Sequence, residues 1–384
     1  MANGSIRQRG AGSWEVKYDI GRDPLTGKRR TKFETVRGSK REAQKVLRDR
    51  LTTIDHGTYA NAGKLTVAQW LSDWLAQAKH GTSAKTWERY TEIVNHHLVP
   101  GLGAVTLNQL SAAAIQQFYA KALESGRRDG KGGLSPQTVR HFDRVLNVAL
   151  KRARALGLIA RNPVEDVAKP KVERGDMRIL SPDEARALLA IARPTRLFAP
   201  VFLALGTGLR RGEILGLRWS DIDLPRSSLT VAQSLETTKT GLRFKEPKTK
   251  RGRRTIALSA SVVEELKEHR ARQAKERLQL GLGKDPAMLV FTKIDGEPVQ
   301  PDGMSKEFVA MAKRAGLPRV TLHTLRHTHA SDMLRVNVHP KIVSERLGHA
   351  SVAITLDVYS HAVPGLQEDA ASRIDAALRG VLGN

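Results

Sequence analysis

The chain has 384 residues, enough for two or three domains with separate cores. Its 64 Lys and Arg against 39 Asp and Glu leave a net charge of +25, a surplus that draws polyanions and makes their binding salt-dependent. The absence of cysteine excludes a disulfide framework and thiolate metal sites; no apolar run has membrane-spanning length, and MANGSIRQRG is no secretory leader, so a DNA- or RNA-binding protein of a reducing cytoplasm is expected.

Residues 1 to about 60 read as a small unit. Trp14, Val16 and Tyr18 alternate with Glu15 and Lys17, the period of a strand with one buried face. Arg22 to Gly27 carries turn residues, and Lys28 to Val36 continues as a second, basic strand. Ser39 and Glu42 have the spacing of a capping box, in which each side chain satisfies the other's backbone N–H at a helix start. With 14 Lys and Arg against 7 Asp and Glu, this segment is too small for a catalytic pocket and suits DNA binding through its sheet face.

From Lys64 to about Pro170 the apolar period becomes helical. Val67, Trp70, Leu71, Trp74 and Leu75 form one stripe behind the cap residue Thr66; Trp87, Tyr90 and Val94 form a second, before a turn at Pro100 to Gly103. Ile115, Phe118, Tyr119 and Leu123 make a third, and after the Gly126 to Gly133 loop Val139, Phe142, Leu146, Ala149 and Leu150 make a fourth. A four-helix bundle with its aromatic residues in the core is expected. Asn162 to Met177, with two prolines and little periodicity, is a linker, and Ser181, Pro182 and Glu184 then carry the residue types that open a helix.

The remaining segment, 171–384, holds three charged islands. TGLRRGEILGLRWSDID (207–223) sets Arg210 at a turn leading into a helix with Glu213. Between Lys239 and Arg254, eight Lys and Arg face one acidic residue in what reads as a basic hairpin that ends in a strand, Arg254 to Leu258. The third island joins LHTLRHTHAS (322–331) to ERLGHASVAITLDVYSHAV (345–363), and six of the chain's twelve histidines fall between His323 and His361. His323 and His327 have the spacing of a zinc-binding helix. Thr324, Leu325 and Arg326 stand between them, however, where a metalloprotease helix carries its Glu, and a guanidinium repels a divalent cation. No metal ligand set and no cofactor site are expected; a phosphate grip is.

TGLRRGE, PKT, HTLRH, LGH and DVYSH, in this order and spacing, resemble the tyrosine recombinase (phage-type integrase) family over about residues 180 to 362. The resemblance implies Arg210 and Arg326 as the catalytic arginines and Lys248 as the hairpin lysine. It further implies His323 and His349 as the catalytic histidines, Tyr359 as the nucleophile, and Glu213 as the acid that orients the first arginine box. His327 reads as a packing support, and His329, His339 and His361 receive no catalytic role. The implied fold is multi-domain and mainly α with small β elements: an arm-type DNA-binding domain (1–60), a helical core-type domain (64–170) and an α+β catalytic domain (171–384).

The chemistry follows from the residue types. Tyr359 attacking a phosphodiester would leave a 3′-phosphotyrosine and a free 5′-hydroxyl, conserving the bond energy so that rejoining needs neither ATP nor metal. Forked guanidinium donors would meet the charge on the non-bridging oxygens. Lys248 would protonate the departing oxygen and His323 accept the phenolic proton, while His349 supports a phosphate oxygen. The implied partners are double-stranded DNA with core- and arm-type attachment sites, and a homo-tetramer on that DNA; the resemblance also allows an accessory DNA-bending protein and a directionality factor. The implied setting is a bacterial host cytoplasm, with no membrane partner. Leu366, Ala370, Ile374, Leu378 and Leu382 form a stripe on a C-terminal helix expected to link protomers. A strand-swivelling topoisomerase would share this chemistry; the intact set of six residues argues against a non-catalytic DNA-binding regulator, and activity that survives EDTA would remove a metal nuclease.

Overall fold

A computed structural model describes residues 3–22, 27–55, 65–173, 177–247, 252–283, 288–359, 371–372 and 374–379. The chain forms two compact units, Met1–Arg174 and Gly175–Asn384.

In the first unit, strands β1 (Gly4–Gly10), β2 (Ser13–Arg22) and β3 (Arg29–Arg37) make an antiparallel sheet in the order β1-β2-β3. β1 has a single large apolar residue, Ile6, and gave no periodic signal; its partner β2 defines it. Val16 and Tyr18 are buried with Ala43 of helix α1 (Lys40–Asp55), whose Ser39–Glu42 capping box forms. The alternation puts Lys17 on the opposite face, paired across the ladder with Phe33, which is 60% exposed and carries the Lys17 ammonium 5.7 Å from its ring centre.

Helices α2 (Val67–Gly81), α3 (Ala84–Ile93), α4 (Val99–Leu102), α5 (Ala112–Ser125) and α6 (Pro136–Ala155) enclose a second core built from the predicted stripes, except that Trp87 stays half-buried at its edge with its indole N–H on the Leu75 carbonyl. Thr66 and Gln69 form the cap of α2, and the Trp70 indole N–H donates to the Ala149 carbonyl of α6 at 3.1 Å. Pro100 to Leu102 of the expected turn are instead helical, and the chain turns only from Gly103: α3 runs through a π-helical stretch, Val94–Leu98, into α4. The wider π turn accommodates proline's missing N–H. Gly101 serves a contact, since a Cβ there would lie 2.4 Å from the Phe118 ring.

The second unit begins with α7 (Pro182–Ala192), capped by Ser181 and Glu184 as expected. Helices α8 (Phe198–Thr207) and α9 (Arg211–Leu215) follow, then strands β4 (Ile222–Asp223), β5 (Ser228–Val231), β6 (Ser234–Thr238), β7 (Gly241–Lys245) and β8 (Arg254–Ala257). β4, β5 and β8 form one sheet, while β6 and β7 form the hairpin. That hairpin turns at Lys239–Thr240, earlier than expected, and the strand after the basic run, β8, is present. Helices α10 (Ala260–Gln279), α11 (Pro301–Arg314), α12 (Leu322–Arg335), α13 (Pro340–Leu347) and α14 (Val352–Tyr359) complete the unit. α8 buries Ala199, Val201, Leu203 and Ala204, and packs along α12. Among the described residues no helix is long and apolar enough to cross a membrane. Of the C-terminal stripe, Ile374 and Leu378 are 61% and 55% exposed; Leu366, Ala370 and Leu382 lie outside the described residues.

Candidate active site

Two helix ends build the site. α8 stops because Gly208 takes a left-handed conformation (φ 67°), and α13 stops at Gly348 in the same way (φ 66°). At α13 the His349 N–H reaches back to the Ser344 carbonyl at 3.0 Å, closing the left-handed cap and fixing where His349 stands. A helix end leaves its last carbonyls unpaired and partly negative, so it attracts cationic donors.

Those donors are arginines. Arg254 Nε donates to the Arg346 carbonyl at 2.6 Å, Arg326 Nη2 to the Leu347 carbonyl at 2.7 Å, and Arg210 Nη2 to the Gly348 carbonyl at 3.3 Å. Three successive carbonyls thus hold three guanidiniums. Arg326 also donates through Nη1 to the Gly208 carbonyl at 2.8 Å, so one side chain joins both helix ends. Arg326 is only 2% exposed, whereas the Arg210 side chain is 45% exposed.

Glu213, 7% exposed, organises the first arginine. Its carboxylate accepts from the Arg210 backbone N–H (2.9 Å) and guanidinium (2.8 Å), and from both Nη atoms of Arg254 (3.1 and 2.9 Å). Burial alone would raise the Glu213 carboxyl, but the hydrogen bonds and charge of Arg254, with Arg210 behind them, outweigh it and hold the group below the usual range. Sequence reading missed Arg254. Its signal was a charged residue opening a strand that pairs through Ile256 with the core, where an inward charge must find a partner.

The histidines sit in the field of these cations. Loss of water, then Arg326 and Arg210, lowers the basicity of His323, which keeps an exposed edge. Its ring meets that of His327 edge-on, with centroids 4.4 Å apart. Burial, then Arg326, Arg210 and Arg254, pushes His349 down to about 4, and its Nδ1 pairs with Thr355 Oγ1 of α14 at 2.9 Å. Burial, then His323 and Arg326, takes His327 to about 4 as well. Tyr359 is the last residue of α14, a helix that packs on α12 and α13. Of the six expected site residues, Arg210, His323, Arg326 and His349 converge; Lys248 and the side chain of Tyr359 lie outside what the structure describes.

An integrase of Streptomyces ambofaciens is 31% identical to this chain over 356 residues, covering 90% of the chain and 88% of the relative. The chain belongs to the phage integrase family. The family's own model, described as the phage integrase family, matches residues 178–364, and a second, the phage integrase N-terminal SAM-like domain, matches 66–123. A protein of Caldanaerobacter subterraneus subsp. tengcongensis named as tyrosine recombinase XerC-like is 28% identical across 94% of this chain and 95% of its own length. Among solved structures, the Tn1549 transposon integrase in complex with transposon right end DNA shares the fold. Its TM-score is 0.67 at 22% identity, over 81% of this chain and all of that one. As a tyrosine recombinase of this family the chain is a site-specific DNA recombinase that cuts and rejoins DNA.

Proposed function

We propose that Arg210, Lys248, His323, Arg326, His349 and Tyr359 form one phosphoryl-transfer centre, through which this integrase inserts and excises a mobile element. The observation that carries this reading is the run of carbonyls from Arg346 to Gly348, which gathers cations beside His349 with Glu213 as their main carboxylate. A phosphodiester that develops charge on its non-bridging oxygens in the transition state is complementary to such a pocket.

The Tyr359 oxygen attacks phosphorus as the bond to the 5′-oxygen breaks. Lys248 delivers a proton to that leaving oxygen, and His323 takes the phenolic proton. His323 is lowered by burial and by Arg326 and Arg210, so it is neutral at pH 7 and able to accept a proton. The phosphate's negative charge then offsets the guanidiniums and favours the imidazolium. Reversal with a new 5′-hydroxyl rejoins the strand, with no metal and no nucleotide consumed.

Exchanging two duplexes takes four strand cleavages and hence four tyrosines, which supports a tetramer on DNA. The outer face of the β1–β3 sheet, with Lys17 and Phe33, suits an arm-type DNA site, and the α2–α6 bundle a core-type site. An accessory bending protein and a directionality factor would act on the DNA between those sites. A cysteine-free, strongly basic chain accords with work in a bacterial cytoplasm.

The test uses plasmids carrying the DNA that flanks the coding sequence, mixed with the full chain in EDTA without nucleotide. Joined recombinant products are expected. Relaxation of supercoils with no joining would replace this reading with a topoisomerase.

A further inference from the structure

His329 was given no role by the sequence, yet both of its ring nitrogens are engaged at the site's foundations. Nδ1 lies 2.7 Å from the Leu205 carbonyl, and Nε2 accepts from Arg346 Nε at 3.0 Å. A carbonyl only accepts, so Nδ1 carries the proton and Nε2 is the lone-pair nitrogen; the ring is one neutral tautomer. Arg346 spreads its other donors to the Gly206 carbonyl (3.0 Å) and the Ala257 carbonyl (2.9 Å), and it meets no carboxylate among the described residues.

Leu205 and Gly206 lie in the last turn of α8, whose carbonyls have no partner within the helix. His329 and Arg346 therefore cap that turn from α12 and α13. The same turn runs on to Gly208, whose carbonyl holds Arg326, and to Arg210. The contact is close: a Cβ on Gly208 would lie 2.8 Å from His329 Cδ2. At the far end, the backbone of Arg346 supplies the carbonyl for Arg254 and continues into those for Arg326 and Arg210. One clip thus spans both helix ends that hold the arginines.

We propose that His329 and Arg346 form a positioning pair that locks the C-terminal turn of α8 against that of α13, and so sets the spacing of Arg210 and Arg326 on the scissile phosphate. The inference rests on the recombinase reading above, because the arginines need a phosphate to act on. The pair touches no reacting atom. Its effect is geometric, and a displacement of about 1 Å at a reacting centre costs on the order of 10²-fold in rate.

The test compares cleavage of two nicked duplexes, one with a normal scissile phosphodiester and one with a methylphosphonate there. The methyl group removes the charge that the guanidiniums neutralise. His329→Phe keeps the ring volume and loses both hydrogen bonds, and Arg346→Met loses the donors. Each should cleave the phosphodiester about 10²-fold more slowly at unchanged half-site affinity, and the double variant no more slowly than either single one. On the methylphosphonate the gap from wild type should shrink toward parity. His329→Gln, with one donor and one acceptor on a similar reach, should restore most of the rate.

Equal losses on both duplexes would mean a general structural role and overturn the proposal, as would a phosphodiester rate within about twofold of wild type. If His329→Phe fails to bind the half-site, Arg346→Lys is read by the same comparison, since it keeps the charge without the fork. Failure of the wild-type chain itself to cleave either duplex would instead bring down the recombinase reading of the site.

Discussion

Arg326 is a buried guanidinium that donates to the Gly208 and Leu347 carbonyls and so joins the ends of two helices. Lysine at Arg326 would keep the charge but could not serve the Gly208 and Leu347 carbonyls as a rigid fork. Arg326→Lys is expected to slow cleavage by about 10²–10³-fold while half-site affinity in a gel-shift titration stays near wild type; a rate close to wild type would rule the fork out. The histidines give a pH signature. His327, His329 and His349 are pushed by burial from 6.5 to about 4, so between those values the unfolded chain binds more protons than the folded one. Stability is therefore lost as pH falls from about 6.5 to 4, and these rings contribute no slope above pH 7. Thermal melts of the full chain should show the catalytic unit's transition dropping across that window, with a shallower slope in His329→Gln. An unchanged slope in that variant would contradict the burial of the ring.

At the scale of elements, the two left-handed glycines do different work from a mere chain reversal. Gly348 and Gly281 have the same φ of 66°, but a Cβ at Gly348 would sit 3.0 Å from Arg254 Nη1, while nothing lies within 4 Å at Gly281. Alanine at either should cost about 1–2 kcal/mol through the left-handed backbone, read by denaturant melts. Only Gly348→Ala should also lose cleavage, by displacing Arg254 from Glu213; equal cleavage by the two variants would separate the turn from the site. This contrast marks what the sequence can carry. The stripe from Val67 to Leu75, the capping boxes at Ser39 and Ser181, and the TGLRRGE and LGH islands are local patterns, and each was legible. Arg254 and the His329–Arg346 clip were not, because their partners lie far along the chain: His329 and Leu205 are 124 positions apart. The short helix α4 was misread as a turn because Pro100 and Gly101 are turn residues in isolation, and the Phe118 contact explains the glycine.

The whole molecule couples its charge to its architecture. The first 60 residues hold 14 Lys and Arg against 7 acidic residues, so a chain beginning at Leu65 should show a shallower fall of affinity with salt on full-length attachment sites. It should still bind core sites while recombining poorly; identical salt slopes for the two chains would deny the sheet any contact with DNA. The central claim is that Tyr359, the last residue of α14, a helix packed on α12 and α13, is the group that joins DNA. The most direct measurement is the covalent adduct formed by the full chain in EDTA. The probe is a set of nicked duplexes tiling the DNA beside the coding sequence, resolved on denaturing gels. Wild type should give an SDS-stable protein–DNA band on at least one duplex, and Tyr359→Phe should shift that duplex with the same affinity yet give no such band. A band of equal yield from Tyr359→Phe would contradict the account.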